Sequence, residues 1–125
     1  MSGKVLRPGT NGWTCYPEPE AMCVDAVWDK WMQAYMSKGP FHTDTVGLSY
    51  MLAGDNGTSN IDPYATAPTA DNQWVAEGPH VMVLLPDPAM LNSISTDPNN
   101  GGPYVMWKGT PYAHIMMPVG KRAKH

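Results

Sequence analysis

Charge is what this chain has least of: only 15% of its residues are Asp, Glu, Lys or Arg. The scarcity is uneven. Three of the eight basic residues, Lys121, Arg122 and Lys124, crowd the last five positions, leaving five against eleven acidic residues in the body. Neutralising a phosphate backbone needs a basic face, so nucleic acid is a poor partner. No apolar run approaches the ~20 residues of a membrane-crossing helix, which argues against a membrane partner. Met1-Ser2-Gly3-Lys4 is followed by no apolar stretch, so no signal peptide is visible. No glycine-rich phosphate loop follows a strand, and no nucleophile elbow is present. Asp44 and Glu77 offer a carboxylate pair for glycoside hydrolysis, but nothing sets their separation.

Cysteine is equally sparse. Cys15 and Cys23 are the only two, with no histidine or third cysteine near enough in sequence to complete a thiolate metal site. They read as a disulfide across a prolyl loop, which would contribute roughly 2.6 kcal/mol by the loop-entropy relation and points to a secreted, extracellular protein.

Apolar and turn-forming residues are plentiful. Five Trp, six Tyr and ten Met supply more apolar surface than a disordered chain carries, while 13 Pro and 12 Gly cut it into short segments. That combination predicts a single, mainly β domain over residues 1–120, with 121–125 as a disordered basic tail. One segment departs from it. Val24, Val27, Trp28, Trp31 and Tyr35 recur at helical spacing, which predicts an N-terminal α-helix over 21–37, packed on the sheet and stopped at Gly39-Pro40.

Strand candidates follow from alternation. Lys4–Arg7 is a short one. Phe41–Leu52 places His42, Asp44, Val46, Leu48, Tyr50 and Leu52 on one face, with His42 near a sheet rim. Residues 53–72 read as a long loop without periodicity. His80–Leu85 is apolar on both faces, with His80, Met82 and Leu84 sharing one of them. Asp87 caps a short helix begun by Pro88. Tyr104–Trp107 and Tyr112–Pro118 read as a hairpin, the second strand aligning Tyr112, His114 and Met116.

Setting aside His125 in the tail, each histidine thus falls on a different strand candidate. Inward-pointing imidazoles from neighbouring strands of a small barrel converge on a metal, so His80, His114 and His42 are candidate ligands for copper, with zinc and iron as alternatives. Gln73 and Glu77, in the turn before His80, are candidate ligands or orienting partners. Met82 and Met116 share strand faces with two of the histidines, and thioethers favour Cu(I). Trp74 and Tyr64 are candidate stacking rings for sugars. A non-catalytic carbohydrate-binding or structural β domain accounts for the same aromatics without a metal.

Asn11-Gly12-Trp13-Thr14-Cys15, the segment from Gly54-Asp55 to Asp62-Pro63, Asn72-Gln73-Trp74 through Gly78-Pro79-His80, Thr96-Asp97-Pro98-Asn99-Asn100-Gly101-Gly102-Pro103, and Val105-Met106-Trp107-Lys108-Gly109-Thr110-Pro111-Tyr112-Ala113-His114 together resemble a family of small secreted bacterial cupin-fold proteins. Most are of unknown function, and among them is a copper-dependent enzyme that oxidatively cleaves cellulose. The resemblance covers nearly the whole chain. It implies a cupin-like jelly-roll barrel, one copper per subunit, a homodimer, and oxidation of cellulose or a related β-glucan to aldonic acids with an external reductant and H2O2 or O2 as co-substrate. It also implies metal-ligating histidines from two motifs, matched here by His42 and His114. Asp44 stands where a second histidine is common, and His80 is the candidate to replace it.

Overall fold

A computed structural model describes residues 11–17 and 21–122. Eight strands, all antiparallel, form a six-stranded and a two-stranded sheet, so the mainly β expectation holds. In chain order the strands are β1 Thr14–Tyr16, β2 Met22–Val24, β3 Gly47–Met51, β4 Thr58–Ser59, β5 Trp74–Val75, β6 His80–Leu84, β7 Tyr104–Met106 and β8 His114–Pro118. The large sheet runs β1-β2-β3-β6-β8-β7, and β4 pairs with β5. Its outer strands are β1 and β7, and no closed barrel is formed among the described residues. The Lys4–Arg7 strand candidate lies outside them.

The single α-helix, α1 (Ala26–Ser37), crosses one face of this sheet. It starts later than periodicity predicts, because Met22–Val24 is a strand held to β1 with Cys15 opposite Cys23. The two cysteines form the expected disulfide, which joins neighbouring strands. Asp25 then does three things at once. Its Oδ1 accepts the Trp28 N–H (2.8 Å), its Oδ2 accepts the Leu48 N–H (2.8 Å), and its own N–H donates to the Leu48 carbonyl (3.1 Å). A helix N-cap is thereby bonded to the strand beneath it. At the other end Lys38, at φ 57°, provides the left-handed turn, and the Gly39 N–H closes on the Ala34 carbonyl.

β3 is shorter than the 41–52 run of alternation, and it buries the opposite face. Gly47, Ser49 and Met51 are covered while Leu48 and Tyr50 are exposed. The reason is the helix: a Cβ on Gly47 would lie 2.9 Å from Val27 Cγ1 and 3.1 Å from Leu84 Cδ1, so only small residues fit beneath α1. Residues 41–46 are irregular, which takes His42 off the sheet.

Register places His80 opposite Met51, Met82 opposite both Ser49 and Met116, and Met106 opposite His114. These side chains share the face covered by Trp28, Trp31 and Met32 of α1, and the main core lies between them. The other face carries a smaller core of Val83, Val105, Ile115 and Leu91. Leu91 belongs to a 3-10 helix, Pro88–Ser93, whose cap is Asp87 as expected.

The tail also differs from expectation at its start. Arg122 donates from Nε to Glu77 Oε1 (2.9 Å) and from Nη2 to Glu77 Oε2 (3.0 Å), with a further bond to the Pro98 carbonyl. The Lys121 carbonyl packs where a Cβ on residue 78 would sit, which requires Gly78. Residues 123–125 lie outside the described chain.

Two stability outcomes follow. Asp25→Ala removes the cap and leaves the Leu48 N–H without its acceptor, and is expected to cost about 2 kcal/mol in urea unfolding, seen as a lower midpoint at unchanged slope. Reducing Cys15–Cys23 is expected to lower the unfolding free energy by about 2–3 kcal/mol, read by the same titration with and without reductant.

Candidate functional site

Between α1 and the covered face of the large sheet lies a cavity of about 280 Å³. Six methionines line it, Met22, Met32, Met51, Met82, Met106 and Met116, one each from β2, α1, β3, β6, β7 and β8. Unbranched thioethers fill an irregular space without demanding a single shape, which suits a helix laid across a twisted sheet.

Two histidines and one carboxylate also line this cavity: His80, His114 and Asp55. His80 is fully buried at the first residue of β6. Its Nδ1 lies 2.7 Å from the Gly78 carbonyl oxygen. A carbonyl only accepts, so Nδ1 carries a proton, and in the neutral ring Nε2 presents a lone pair. That Nε2 is buried and makes no hydrogen bond within the described chain. Facing it at 3.9 Å is Asp55 Oδ2, another acceptor, beyond hydrogen-bonding reach. Two acceptors opposed in a thioether-lined cavity form an arrangement that a cation between them would satisfy. An ion bound about 2.0–2.2 Å from an imidazole nitrogen and a carboxylate oxygen fits a span of this size.

Asp55 is held rigidly for this. Its Oδ1 accepts from the Gly57 N–H (3.0 Å) and the Glu77 N–H (2.9 Å), and its own N–H donates to the Glu77 carbonyl (3.0 Å). Burial raises its carboxyl above the usual range, against the opposing pull of those N–H groups and of His80. Glu77 is not at the cavity. It is buried, and burial pushes its carboxyl up, but bonds from Arg122 and from the Tyr104 hydroxyl (2.7 Å) outweigh that and leave it lowered. Glu77 therefore stays ionised and clamps the turn that positions Asp55.

His114 repeats the tautomeric lock, with Nδ1 2.9 Å from the Tyr112 carbonyl oxygen. Its ring meets Trp28, Trp31 and Trp107 edge to face, with centroids 5.5, 5.4 and 5.1 Å away. Burial in this cage, aided by His80, lowers its pKa to about 4 against the pull of the Tyr112 carbonyl. The Met82–Met116 pair separates the two histidines on the sheet. At a strand rise of about 3.3 Å per residue their backbone positions lie on the order of 13 Å apart along it, while both side chains line the same cavity.

The remaining sequence candidates are elsewhere. His42 is exposed, with Nε2 3.0 Å from Asp44 Oδ1, and lines a separate surface depression with Phe41 and Lys30. Gln73 is exposed, and its Oε1 accepts from Asn60 Nδ2 (3.1 Å). Trp74 is half-buried beside Gly57. Tyr64 lies at the surface, stacked on Tyr35. Among the described residues, no group of three or more His, Cys, Asp or Glu has the geometry to hold a metal ion. A three-histidine centre is thus not assembled here, and the donors brought face to face are His80 and Asp55, with His114 and the thioethers elsewhere in the lining of the same cavity. Asp55 was missed as a site residue because it sits in an irregular loop. Its one local signal is the Asp-Asn-Gly triplet, in which Asp55 bonds the Gly57 N–H as an Asx turn does.

Trp107 is the other residue that periodicity could not anticipate. Its φ of 62° is a left-handed conformation that a bulky side chain adopts at a cost of about 1–3 kcal/mol. Its N–H to the Asn60 carbonyl (2.9 Å) and Nε1–H to the Ser59 carbonyl (2.7 Å) hold it there.

No helix among the described residues is long and apolar enough to cross a membrane. Comparison of the chain with protein-family models, with curated proteins and with solved structures finds no match.

The His114 environment has a pH consequence. Unfolded, its imidazole takes a proton near pH 6.5, whereas in the fold it stays neutral down to about 4. The stabilisation is complete above pH 6.5 and is lost as the pH falls through that window, amounting to about 3 kcal/mol. Urea unfolding of metal-free protein at pH 7 and pH 4 is expected to show this loss, and His114→Phe to reduce it.

Proposed function

We propose that this chain is a secreted mononuclear copper oxidoreductase on a cupin-like scaffold, oxidatively cleaving cellulose or a related β-glucan to aldonic acids. One observation carries the metal reading: the buried His80 Nε2 lone pair, fixed by the Gly78 carbonyl and opposed by Asp55 Oδ2 at 3.9 Å. The surrounding thioethers suit copper, since soft sulfur donors select Cu(I) over zinc and the harder ions. The substrate, the co-substrate and the homodimer rest on the sequence resemblance. The disulfide fits an oxidising, extracellular compartment.

When bound, copper would supply one-electron chemistry with H2O2 or O2, driven by an external reductant. The chain's own residues do the rest. His80 would hold the ion through Nε2, with Asp55 Oδ2 or a methionine sulfur completing the grip. His114 presents the same tautomer from the opposite wall. Asp55 Oδ1 stays bonded to the Gly57 and Glu77 N–H groups, which leaves Oδ2 as the atom that would face the ion. Trp28 and Trp31 close the helix side and exclude water. The Arg122–Glu77 pair positions the turn that carries Asp55.

A non-catalytic carbohydrate-binding or structural role is the second reading. The exposed Leu48, Leu52 and Tyr50, with Trp13 stacked on Tyr50 at 4.8 Å, favour it, because they present an apolar sheet face away from the cavity.

Titrating Cu(II) into metal-stripped protein separates the two. The enzyme reading expects one tight equivalent with nitrogen hyperfine coupling in the electron paramagnetic resonance spectrum. His80→Ala is expected to weaken it by about 100-fold and Asp55→Asn by about 10-fold, with His42→Ala leaving it unchanged. Soluble aldonic acids should appear from cellulose with copper, reductant and peroxide, and not in a chelated control. Absence of a one-to-one site would sink the enzyme reading.

A further inference from the structure

The aromatic residues around the cavity form an ordered array. Trp31, Trp107 and Tyr35 are close to parallel, with interplanar angles of 4° for Trp31–Trp107, 2° for Tyr35–Trp107 and 5° for Trp31–Tyr35, and centroids 5.8, 5.4 and 5.7 Å apart. Tyr64 continues the stack, 5.0 Å from Tyr35 at 12°. The inner rings line the cavity and the indoles meet His114 edge-on. The outer ring, Tyr64, is 38% exposed. Offset stacking is favourable packing by itself. Packing alone, however, does not explain why a strained backbone at Trp107 is retained to place one indole in this array, nor why the array runs unbroken from a buried imidazole to solvent.

We propose that Trp31, Trp107, Tyr35 and Tyr64 form a one-electron relay between the cavity and the surface, through which a small phenolic or enediol reductant delivers electrons at Tyr64. The proposal rests on the redox reading of the cavity and names the route by which its electrons arrive. The balance is as follows. The indole of Trp31 or Trp107 would lose one electron to a peroxide-derived oxidant, which the co-substrate of the proposed function would supply in the cavity and which would be reduced by one electron, leaving an indole radical cation. Tyr64 refills the indole across Tyr35, losing one electron and releasing its phenolic proton to solvent. The reductant returns one electron and one proton to Tyr64, and is oxidised by one electron.

Local chemistry suits each station. Indoles give up an electron without first losing a proton, which matches their burial. The Tyr35 hydroxyl stays bonded to the Pro63 carbonyl (2.6 Å), so Tyr35 serves as a bridge the electron crosses. The Tyr64 hydroxyl also bonds a carbonyl, that of Tyr35 (2.7 Å), which pins the ring to the helix, but this bond is exposed, so water can take the phenolic proton when the ring is oxidised. Lys38 Nζ stands 4.8 Å from the Tyr64 centroid. That cation attracts an anionic reductant and disfavours a positive charge resting on the ring.

The test needs no metal. The chain has five tryptophans, and changing Trp13 and Trp74 to Phe leaves only Trp28, Trp31 and Trp107, all at the cavity. Ultraviolet-laser photoionisation of this metal-free protein, with a cobalt(III) ammine capturing the ejected electron, creates indole radicals whose decay is followed optically. Expected is decay of the indole signal with matching growth of a phenoxyl signal, and covalent capture of a nitroso spin trap at Tyr64 in peptide mass mapping. Adding Tyr35→Phe is expected to slow the decay roughly tenfold, and adding Tyr64→Phe to abolish trapping at that position and prolong the indole radical. Tyr112→Phe alters a ring edge-on to the same stack and is expected to leave the rate unchanged, which separates disturbed packing from a broken relay. Equal decay rates in all these chains, or trapping at Tyr16, Tyr50 or Tyr104 with Tyr64 untouched, would overturn the relay. Failure to bind copper would overturn the metal reading and leave this result standing, so the two failures are distinguishable.

Discussion

The carboxylate of Asp25 is the joint on which the molecule turns. By accepting the N–H groups of both Trp28 and Leu48, it sets the start of α1 against β3 with no freedom to slide. A helix so placed must lie close to the strand, and the strand answers with Gly47 where Val27 and Leu84 press in, followed on the same face by the small Ser49. Trp28 and Trp31 then project over the sheet further along, where long methionines replace small residues. The same constraint that closes the contact at one end holds it apart at the other, and the cavity is the difference between them.

A second line of support runs from the C-terminal side. Arg122 neutralises Glu77, whose buried charge would otherwise be met only by the Tyr104 hydroxyl. Glu77, through its backbone, meets both the N–H and the carboxylate of Asp55. Asp55 in turn faces His80. Each step satisfies the polar groups of the one before, and the sequence ends at His80 Nε2, which makes no hydrogen bond among the described residues. On the opposite wall His114 is held neutral by aromatic edges. The cavity thus combines thioether sulfur, two imidazoles and a single carboxylate.

Much of this could be read before any coordinates. The alternation in His80–Leu84 and His114–Pro118 correctly set the histidines on the same faces as Met82 and Met116, because both strands are central and the period-two pattern is uninterrupted. Asp87 before Pro88 correctly marked a capped helical turn. The helix was recognised, but its start was placed too early, since Val24 satisfies helical spacing while belonging to a strand tied down by the disulfide. The run from Phe41 to Leu52 misled for a different reason. Its larger apolar residues occupy the exposed face, and the covered face is marked by small residues that carry no hydrophobic signal. His42, read as part of that strand, consequently lies outside the cavity.

By itself, the sequence determined a mainly β chain with one helix, a disulfide between its only cysteines, and which side chains share a face along β6 and β8. Those properties depend on spacing of a few residues and on local backbone preference. Only the tertiary structure decided which histidines meet one cavity, that Asp55 and not Gln73 faces His80, and that rings from a helix, a hairpin and a long loop stand parallel. These depend on strand register and on the approach of distant segments, which are set by packing and by the satisfaction of buried polar groups across the whole fold.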